Sequence, residues 1–133
     1  MDREEPQPIS IGIITPYNIQ KEALIKMVHN SSFPAKVSIT VNTVDSFQGL
    51  EKDIIVLSCV RYRPNTFLSD GQRLNVALTR AKHALYIVGT YTLFKNCSML
   101  NRLKIDAERR NLYCHIHRVS LNVLKKTIGS KIN

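Results

Sequence analysis

The sequence predicts an α/β protein built on a mostly parallel sheet with helices on both faces. Four short apolar runs are rich in β-branched residues, and the segments between them have helical periodicity. Such runs are typical of parallel strands, which are buried on both faces beneath their crossover helices. At 133 residues the chain is long enough to form one domain with its own core. The predicted strands are Ile9–Ile14, Val37–Val41, Asp53–Val60 and Ala84–Val88.

A first helix is predicted between the first two strands, beginning at the stretch TPYNIQ. Thr15 suits the position that caps a helix, and Pro16 suits the first helical position. The stretch NSSFP ends the helix. Apolar residues at helical spacing predict the side that faces the sheet, namely Ile19, Ala23, Leu24, Met27 and Val28.

A second helix is predicted over Gln72–Lys82, after the loop RYRPNTFLSDG. Its apolar positions recur at i, i+3, i+4 and i+7, so they should face the core. They are Leu74, Ala77, Leu78 and Ala81. A polar and basic cluster, Thr79, Arg80, Lys82 and His83, stands where this helix meets the last strand. A helix with an ordinary solvated face has no reason to concentrate charge at that junction.

The ends of the chain are predicted to lie outside the domain. Residues 1–8 are expected to be a linker or an arbitrary start, and residues 113–133 a basic tail that follows helical turns reaching about Arg110. The acidic stretch MDREEPQPIS has no signal-peptide core, and no apolar run approaches the roughly 20 residues of a membrane-spanning helix. We therefore expect no membrane partner. The three unpaired cysteines favour a reducing, intracellular location, in the nucleus or cytoplasm.

Positive charge is concentrated in the second half of the chain. Residues 1–70 hold seven Lys/Arg against eight Asp/Glu, whereas residues 71–133 hold twelve against two. Such an excess attracts phosphate-rich partners, although a solvated surface and a basic tail give the same count. The stretch CHIH, Cys114 to His117, offers metal-ligating side chains without a distant second pair, so we expect no metal site.

Three long stretches resemble the fourth, fifth and sixth motifs of the superfamily 1 helicases. They are IGIITPYNIQ, TVDSFQGLEKDIIVLSCVR and QRLNVALTRAKHALYIVG, and they follow the order and spacing of that family. The resemblance covers about residues 9–91 and is strongest to the superfamily 1B branch of the nonsense-mediated-decay helicase and senataxin. It implies a RecA-like fold of the P-loop NTPase type, specifically the second of two motor domains, over residues 9–112.

The resemblance also implies a nucleotide site. In the family, ATP with Mg²⁺ binds in the cleft between the two motor domains, and Arg80 corresponds to the arginine finger that reaches the γ-phosphate. Gln48 corresponds to a catalytic position that couples its segment to the nucleotide. Gly49 and Glu51 correspond to positions that contact the nucleotide. A helix packed rigidly on the core would hold Arg80 where charge develops in the transition state.

A track for single-stranded RNA or DNA is implied as well. Thr15 and Thr43 correspond to residues whose hydroxyls contact the nucleic-acid backbone, without preference for a base. Tyr17 belongs to the fourth motif, although packing at the start of a helix would also explain it. Arg61 follows the third strand and could contact either ligand.

Two basic positions leave the interpretation open. Arg73 and Lys82 fit an exposed helix face as well as they fit a ligand contact. Where the family often has a further arginine, this chain has Lys82 and His83. The sequence therefore does not predict a second phosphate-reading residue at the sixth motif.

The absent motifs define the expected activity. The pattern G-x-x-x-x-G-K-[ST] does not occur, and no acidic box for Mg²⁺ is found. The chain is therefore interpreted as half of an ATP-dependent helicase motor, inactive by itself, whose partner is an upstream RecA-like domain of the same protein. The alternative is a degenerate RecA-like module that binds nucleic acid or protein without turnover. A nuclease or polymerase accessory fold is disfavoured because clustered carboxylates for two metals are missing.

Overall fold

The structure, a computed structural model, describes residues 7–47, 49–59 and 71–115. Four strands form one fully parallel sheet in the order β2-β1-β3-β4, which confirms the predicted α/β fold. The strands are β1 (Ile9–Thr15), β2 (Val37–Thr43), β3 (Lys52–Cys59) and β4 (Ala81–Gly89). The helices are α1 (Asn18–His29), α2 (Gly71–Leu78), α3 (Tyr91–Asn96) and α4 (Ser98–Arg109), and a 3₁₀ helix, Asp45–Phe47, follows β2.

The strand order places a reversal of direction between β1 and β3. From β1 the chain passes through α1 to β2 on one side, and then crosses β1 to reach β3 on the other. Because such crossovers are right-handed, α1 lies on one face of the sheet, and α2 lies with the β2–β3 connection on the opposite face. In open parallel sheets the carboxyl ends of the strands beside such a reversal form a preferred ligand site.

The core lies mainly on the face of the sheet that carries α2. Ile14 pairs in register with Leu57, and both are fully buried. Side chains two residues apart along a strand share a face, so Ile55 joins them. The buried residues that α2 and the 3₁₀ helix contribute to the core are Leu74, Ala77 and Phe47.

Gly12 makes room for the connection that crosses β1. A Cβ atom at this position would lie 2.8 Å from Cε1 of Phe47 and 2.9 Å from Cδ1 of Ile55. Both distances are shorter than carbon atoms tolerate. The absence of a side chain at Gly12 therefore lets Phe47 pack directly on the middle of β1 and seats the whole β2–β3 connection.

The inner side of α1 matches the prediction in part, because Leu24 and Val28 are half-buried whereas the other three predicted residues are exposed. Ile19 is 70% exposed and Met27 is 66% exposed, so these residues, with Ala23, face outward. The half-buried residues along the inner side are Gln20, Leu24 and Val28. Gln20 turns inward because its amide is hydrogen-bonded to residues of β1 and β3, and at 3.6 residues per turn this contact fixes the phase of the helix.

The start of α1 was also predicted wrongly. The residue at its N-cap position is Tyr17, which makes no side-chain capping bond, and Thr15 is the last residue of β1. The hydroxyl of Thr15 donates to Gln20 Oε1, and its oxygen accepts the N–H of Tyr17 at 3.5 Å, before the first turn begins. The prediction failed because a buried hydroxyl at a strand end found a side-chain partner before the helix began.

The second predicted helix is shorter than expected, because α2 ends at Leu78. The carbonyl of Asn75 in the last turn accepts both the hydroxyl of Thr79 at 2.9 Å and its backbone N–H at 3.1 Å. Ala81 begins β4 and pairs with Lys52. The basic cluster is therefore divided, with Arg80 in the turn and the next two basic residues on the strand.

The prediction that the last strand is buried on both faces is wrong. β4 is the outermost strand of the described sheet, and on it Tyr86 is 59% exposed and Val88 is 44% exposed. α1 packs on β1 and β2, at the other side of the sheet. An apolar run does not distinguish a central strand from the outermost one, because the difference is made by neighbours that are distant in sequence.

The chain divides into two compact units, Met1–Ser98 and Met99–Asn133. The first contains the sheet and the first three helices. In the second, α4 ends where Asn111 adopts a positive φ of 56°, and the N–H of Leu112 donates to the carbonyl of Ala107 at 2.8 Å. This is the hydrogen-bonded closure common at helix ends. Over the described ranges, none of the helices has the length and apolar character needed to cross a membrane.

Candidate functional site

The predicted site residues lie at two opposite ends of the sheet. Because all four strands are parallel, they all begin at one end, here called the amino end, and finish at the carboxyl end. Glu51 immediately precedes β3 and Arg80 immediately precedes β4, so both stand at the amino end. Thr15 and Thr43 are the last residues of β1 and β2 and pair with each other at the carboxyl end. Strands of seven residues separate the two groups by roughly 20 Å.

Arg80 is held in its turn from both sides. Its carbonyl accepts a hydrogen bond from the N–H of Lys52 at 3.1 Å, and its Nε donates to the carbonyl of Val76 at 3.1 Å. The first bond ties the turn to the start of β3, and the second ties the side chain to the end of α2. A bond through Nε does not engage the two terminal nitrogens, which carry four of the five N–H donors of a guanidinium group. The geometry can therefore present a fixed fork of donors to an anion.

The β2–β3 connection, residues 44–51, carries the other predicted nucleotide contacts. Val44 is 3% exposed and Phe47 is fully buried, so the connection is anchored by its apolar residues, and Glu51 beyond them is exposed. Gly49 has a φ of +75°, and a Cβ there would meet no atom within 4 Å. A glycine is thus favoured at this position by backbone conformation rather than by crowding. Gln48 lies outside the described residues.

An ion pair connects this segment with α2. Arg73 Nε donates to Asp45 Oδ1 at 3.1 Å, and Arg73 Nη2 donates to Asp45 Oδ2. The sequence left the role of Arg73 open between a solvated face and a ligand contact. Its observed partner is a carboxylate of the fifth motif.

A polar group at the amino end, formed by Ser10 and Asp53, is not indicated by the sequence. Asp53 Oδ2 accepts from the backbone N–H of Ser10 at 2.9 Å and from its hydroxyl at 3.0 Å, and the N–H of Asp53 donates to Ser10 Oγ at 3.0 Å. The two side chains thus continue the β1–β3 pairing beyond its last backbone contacts. Nothing in the sequence pattern marks the pair, because the two residues are 43 positions apart.

Asp53 also faces the basic stretch of β4. The register shifts there, so that Lys82 and His83 together stand opposite the one residue Asp53, as in a β-bulge. His83 Nε2 lies 3.8 Å from Asp53 Oδ1. The backbone N–H of Ser10 chiefly, then its hydroxyl and the charges of Lys82 and His83, hold the pKa of Asp53 below its ordinary value against a smaller effect of burial.

A hydrogen-bonded chain closes the carboxyl end, between β1 and β3. The hydroxyl of Thr15 donates to Gln20 Oε1 at 2.7 Å, and Gln20 Nε2 donates to Ser58 Oγ at 2.7 Å. Thr15 is fully buried and Ser58 is 6% exposed. Gln20 is the last residue of the stretch that resembles the fourth motif, and nothing in the sequence indicates Ser58 as its partner. A contact between the Thr15 hydroxyl and a ligand would require this chain to open.

The remaining predicted nucleic-acid contacts are less buried. Thr43 Oγ1 lies 3.2 Å from Ser46 Oγ, and its backbone N–H bonds to Asn42 Oδ1 at 3.1 Å. Tyr17 is half-buried at the start of α1. Arg61 lies outside the described residues, so its position relative to this surface stays a prediction.

No three potential metal ligands come together within the part of the chain that the structure describes. Cys114 is exposed, and His117 of the same stretch falls outside that part. Cys59 is buried, and its burial chiefly, with a smaller effect of Cys97, raises the pKa of its thiol to about 12. A thiol with that pKa stays protonated, so Cys59 serves as a packing residue.

Comparison with known proteins supplies a context for this geometry. Residues 1–92 match a family described as an AAA domain. The chain is 51% identical over 89 residues to the regulator of nonsense transcripts 1 homolog of Neurospora crassa, covering 62% of this chain and 8% of that protein. It is 43% identical over 91 residues to the DNA polymerase alpha-associated DNA helicase A of Saccharomyces cerevisiae, covering 66% and 13% respectively.

A third relative is named as an ATP-dependent helicase. The chain is 42% identical over 93 residues to the ATP-dependent helicase upf1 of Schizosaccharomyces pombe, a match covering 65% of this chain and 10% of that protein. The chain thus spans about a tenth of the length of these three relatives.

Proposed function

This chain belongs to the AAA domain family and is a domain of a superfamily 1 helicase of the nonsense-mediated-decay type, and from that premise we propose that it is the second RecA-like motor domain of an ATP-dependent helicase. In this role it contributes the arginine finger, the nucleotide lid and half of the track for single-stranded RNA or DNA. An upstream RecA-like domain of the same full-length protein contributes the phosphate loop and the residues that hold Mg²⁺.

The observation that carries this proposal is the placement of Arg80. It stands in a short turn between a helix and a strand of the core, and a backbone bond ties it to the segment that carries Glu51. The guanidinium group is oriented through Nε, with its terminal nitrogens directed by the turn rather than by a flexible side chain alone. A residue that must meet charge at a fixed point benefits from such preorganisation.

ATP bound with Mg²⁺ supplies the phosphoryl group whose transfer to water drives the motor. Arg80 then stabilises the negative charge that develops on the γ-phosphate, a contribution worth about 10³–10⁵ in rate for arginine fingers. Glu51 and the backbone of Gly49 contact the nucleotide from the same end of the sheet, and Gln48 links their segment to it. The residues present fit one half of such a site, since Arg80 offers guanidinium donors beside the segment that carries Glu51.

The carboxyl end of the sheet is proposed as the track for the single strand. Thr43, Tyr17 and Arg61 contact the backbone there without reading bases. Thr15 contributes through its position at the end of β1, and its hydroxyl becomes available only when Gln20 releases it. The basic residues of the second half add an attraction that weakens as salt rises.

The test is Arg80→Ala in the full-length protein that contains both motor domains. Nucleic-acid-stimulated ATP hydrolysis should fall by about 10³-fold or more, while nucleotide and single-strand affinities change little, because a finger acts on the transition state. Arg80→Lys should fail nearly as badly, since an ammonium group cannot reproduce the planar fork. Turnover, nucleotide affinity and melting temperature are measured on the same preparations.

Arg110→Ala is the matched control, because it also removes one guanidinium group but from an exposed i,i+4 pair with Asp106. Its turnover should equal that of the unaltered protein. If Arg80→Ala keeps more than about a tenth of normal turnover, against the loss expected of a finger, the assignment is wrong. Purified residues 1–133 should hydrolyse no ATP above background. Turnover by this chain that depends on Arg80 would contradict its interpretation as half of a motor.

A further inference from the structure

We propose that Asp45 and Arg73 are a positioning pair, which holds the β2–β3 connection against α2 so that Glu51 and Arg80 face the nucleotide in one fixed arrangement. The inference rests on the proposed function, because it assumes that both residues serve one nucleotide site. It concerns the coupling between two segments and assigns neither member of the pair to the nucleotide itself.

The geometry of the pair suits a positioning role. Two nitrogens of the Arg73 guanidinium, Nε and Nη2, donate to the two different oxygens of the Asp45 carboxylate. Such a two-point contact between planar groups fixes orientation as well as distance, whereas a single ammonium contact fixes distance only. The Arg73 and Asp45 side chains are 43% and 65% exposed, so water competes with the contact.

The pair joins the two segments that carry the nucleotide contacts. Asp45 begins the 3₁₀ helix of the connection that leads to Glu51, and Arg73 lies in the first turn of α2, two turns before Arg80. Near the other end of the same two segments, the N–H of Lys52 bonds to the carbonyl of Arg80. The segments are therefore tied at both ends. A small cavity lies beside the pair and is lined by Val44, Asp45, Gln72, Arg73 and Val76.

Exposure separates what this pair does for function from what it does for folding. An exposed ion pair contributes little to the free energy of folding, because water solvates both charges in either state. Misplacement of a catalytic group by about 1 Å, in contrast, can lower a rate about 10²-fold. Loss of the pair should therefore appear in turnover and not in melting temperature, the reverse of a purely structural contact.

The experiment is a charge exchange in the full-length protein with both motor domains. Asp45→Arg and Arg73→Asp each place two like charges together and should lower kcat for strand-stimulated hydrolysis by about 10–100-fold. The double variant restores an ion pair of opposite direction and should recover most of that loss. Nucleotide affinity and melting temperature should stay close to those of the unaltered protein in all three.

Asp106→Arg and Arg110→Asp form the matched control, since they reverse charge in another exposed pair and should leave kcat unchanged. Where a reversal lowers the melting temperature, Asp45→Asn replaces it, because it removes the charge and keeps the size of the side chain.

The outcomes separate this inference from the proposed function. If Arg80→Ala, measured alongside, keeps its turnover, the proposed function fails and the inference fails with it. If Arg80→Ala loses turnover while Asp45→Arg and Arg73→Asp keep theirs, only the positioning pair is wrong. A double variant as slow as the single variants also overturns the pair, because it shows that the two residues act independently of each other.

Discussion

The two ends of the sheet are built from different chemistry. At the amino end, charged side chains meet near the surface, because Asp53 faces Lys82 and His83, and Glu51 and Arg80 directly precede the same two strands. At the carboxyl end, the side chains between β1 and β3 are neutral and largely buried, and one amide joins two hydroxyls. The side chains that join β1 and β3 and their neighbours are thus charged and partly exposed at the amino end, and neutral and largely buried at the carboxyl end.

The difference follows from the cost of burial. A charge removed from water must be paired at considerable cost, whereas a hydroxyl or an amide needs only its hydrogen bonds. Substitutions at the buried end should therefore lower the free energy of unfolding, and substitutions at the exposed end should mainly change turnover.

The largest loss of stability is expected where the segment that links the two ends packs on the sheet. Gly12→Ala would place a Cβ 2.8 Å from Phe47 Cε1 and 2.9 Å from Ile55 Cδ1, and both neighbours are fully buried and cannot easily move. Overpacking of this kind costs about 1–3 kcal/mol, occasionally more. Because Phe47 seats the connection, turnover of the full-length protein should fall as well. Gly12→Ala should therefore change both stability and turnover, unlike substitutions at either end of the sheet. Chemical denaturation and ATP hydrolysis measure the two effects.

Gly71→Ala is the matched control for that substitution. A Cβ there meets no atom within 4 Å, and the residue begins α2. Alanine has the higher helix propensity, so stability should be unchanged or slightly raised. If Gly12→Ala is as stable as Gly71→Ala, Phe47 does not pack as the structure places it.

A smaller loss is expected from Gln20→Leu at the carboxyl end. The substitution leaves the hydroxyls of Thr15 and Ser58 without their partner, and an unsatisfied buried polar group costs about 1–3 kcal/mol. Single-strand affinity of the full-length protein should fall with it, while nucleotide affinity should not, since the amide lies at the end remote from Arg80. Unfolding free energy and the two affinities are measured together.

The control for Gln20→Leu also removes the two hydroxyls that this substitution leaves without a hydrogen-bond partner. In the triple variant with Thr15→Val and Ser58→Ala, all three polar groups are gone, and apolar groups of similar shape can be nearly neutral. The triple variant should therefore be more stable than Gln20→Leu. Equal stability would indicate that the three side chains do not form one hydrogen-bonded unit.

The course of the chain was predictable because it depends on local patterns. Runs of apolar, β-branched residues placed all four strands, and their alternation with helices indicated a parallel sheet. The phase of α1 and the exposed face of β4 were not predictable in this way. The first is fixed by Gln20 reaching Ser58, 38 positions away, and the second by the place of β4 in the strand order. Neither leaves a periodic signal.

The candidate site was predictable only residue by residue. Motif resemblance pointed to Arg80, Gly49 and Glu51, and the structure adds that Arg80 and Glu51 stand at the amino end while Gly49 lies in the connection that leads there. The resemblance could not indicate that Arg73 pairs with Asp45 or that Ser10 pairs with Asp53, because such pairs depend on the register of the strands and on the face that α2 occupies. Sequence patterns specify which groups are available, and the packing determines which of them meet.

The smallest effect is expected at Asp53, and it should appear only as a dependence on pH. Its pKa is lowered in the folded protein, first by the N–H and hydroxyl of Ser10 and then by Lys82 and His83. A carboxylate with a lowered folded pKa stabilises the protein at pH values above its unfolded pKa, and this contribution is lost as pH falls through the folded value.

Asp53→Asn keeps an oxygen that can accept from Ser10 and removes the charge. The unaltered protein should thus be more stable than Asp53→Asn at neutral pH, and the difference should shrink below about pH 4, the ordinary range of aspartate. Denaturation curves at several pH values measure the difference, with Asp106→Asn correcting for the loss of one surface carboxylate. A difference that stays constant from neutral to acid pH would mean that Asp53 acts through shape and hydrogen bonds, and that charge does not stabilise the amino end.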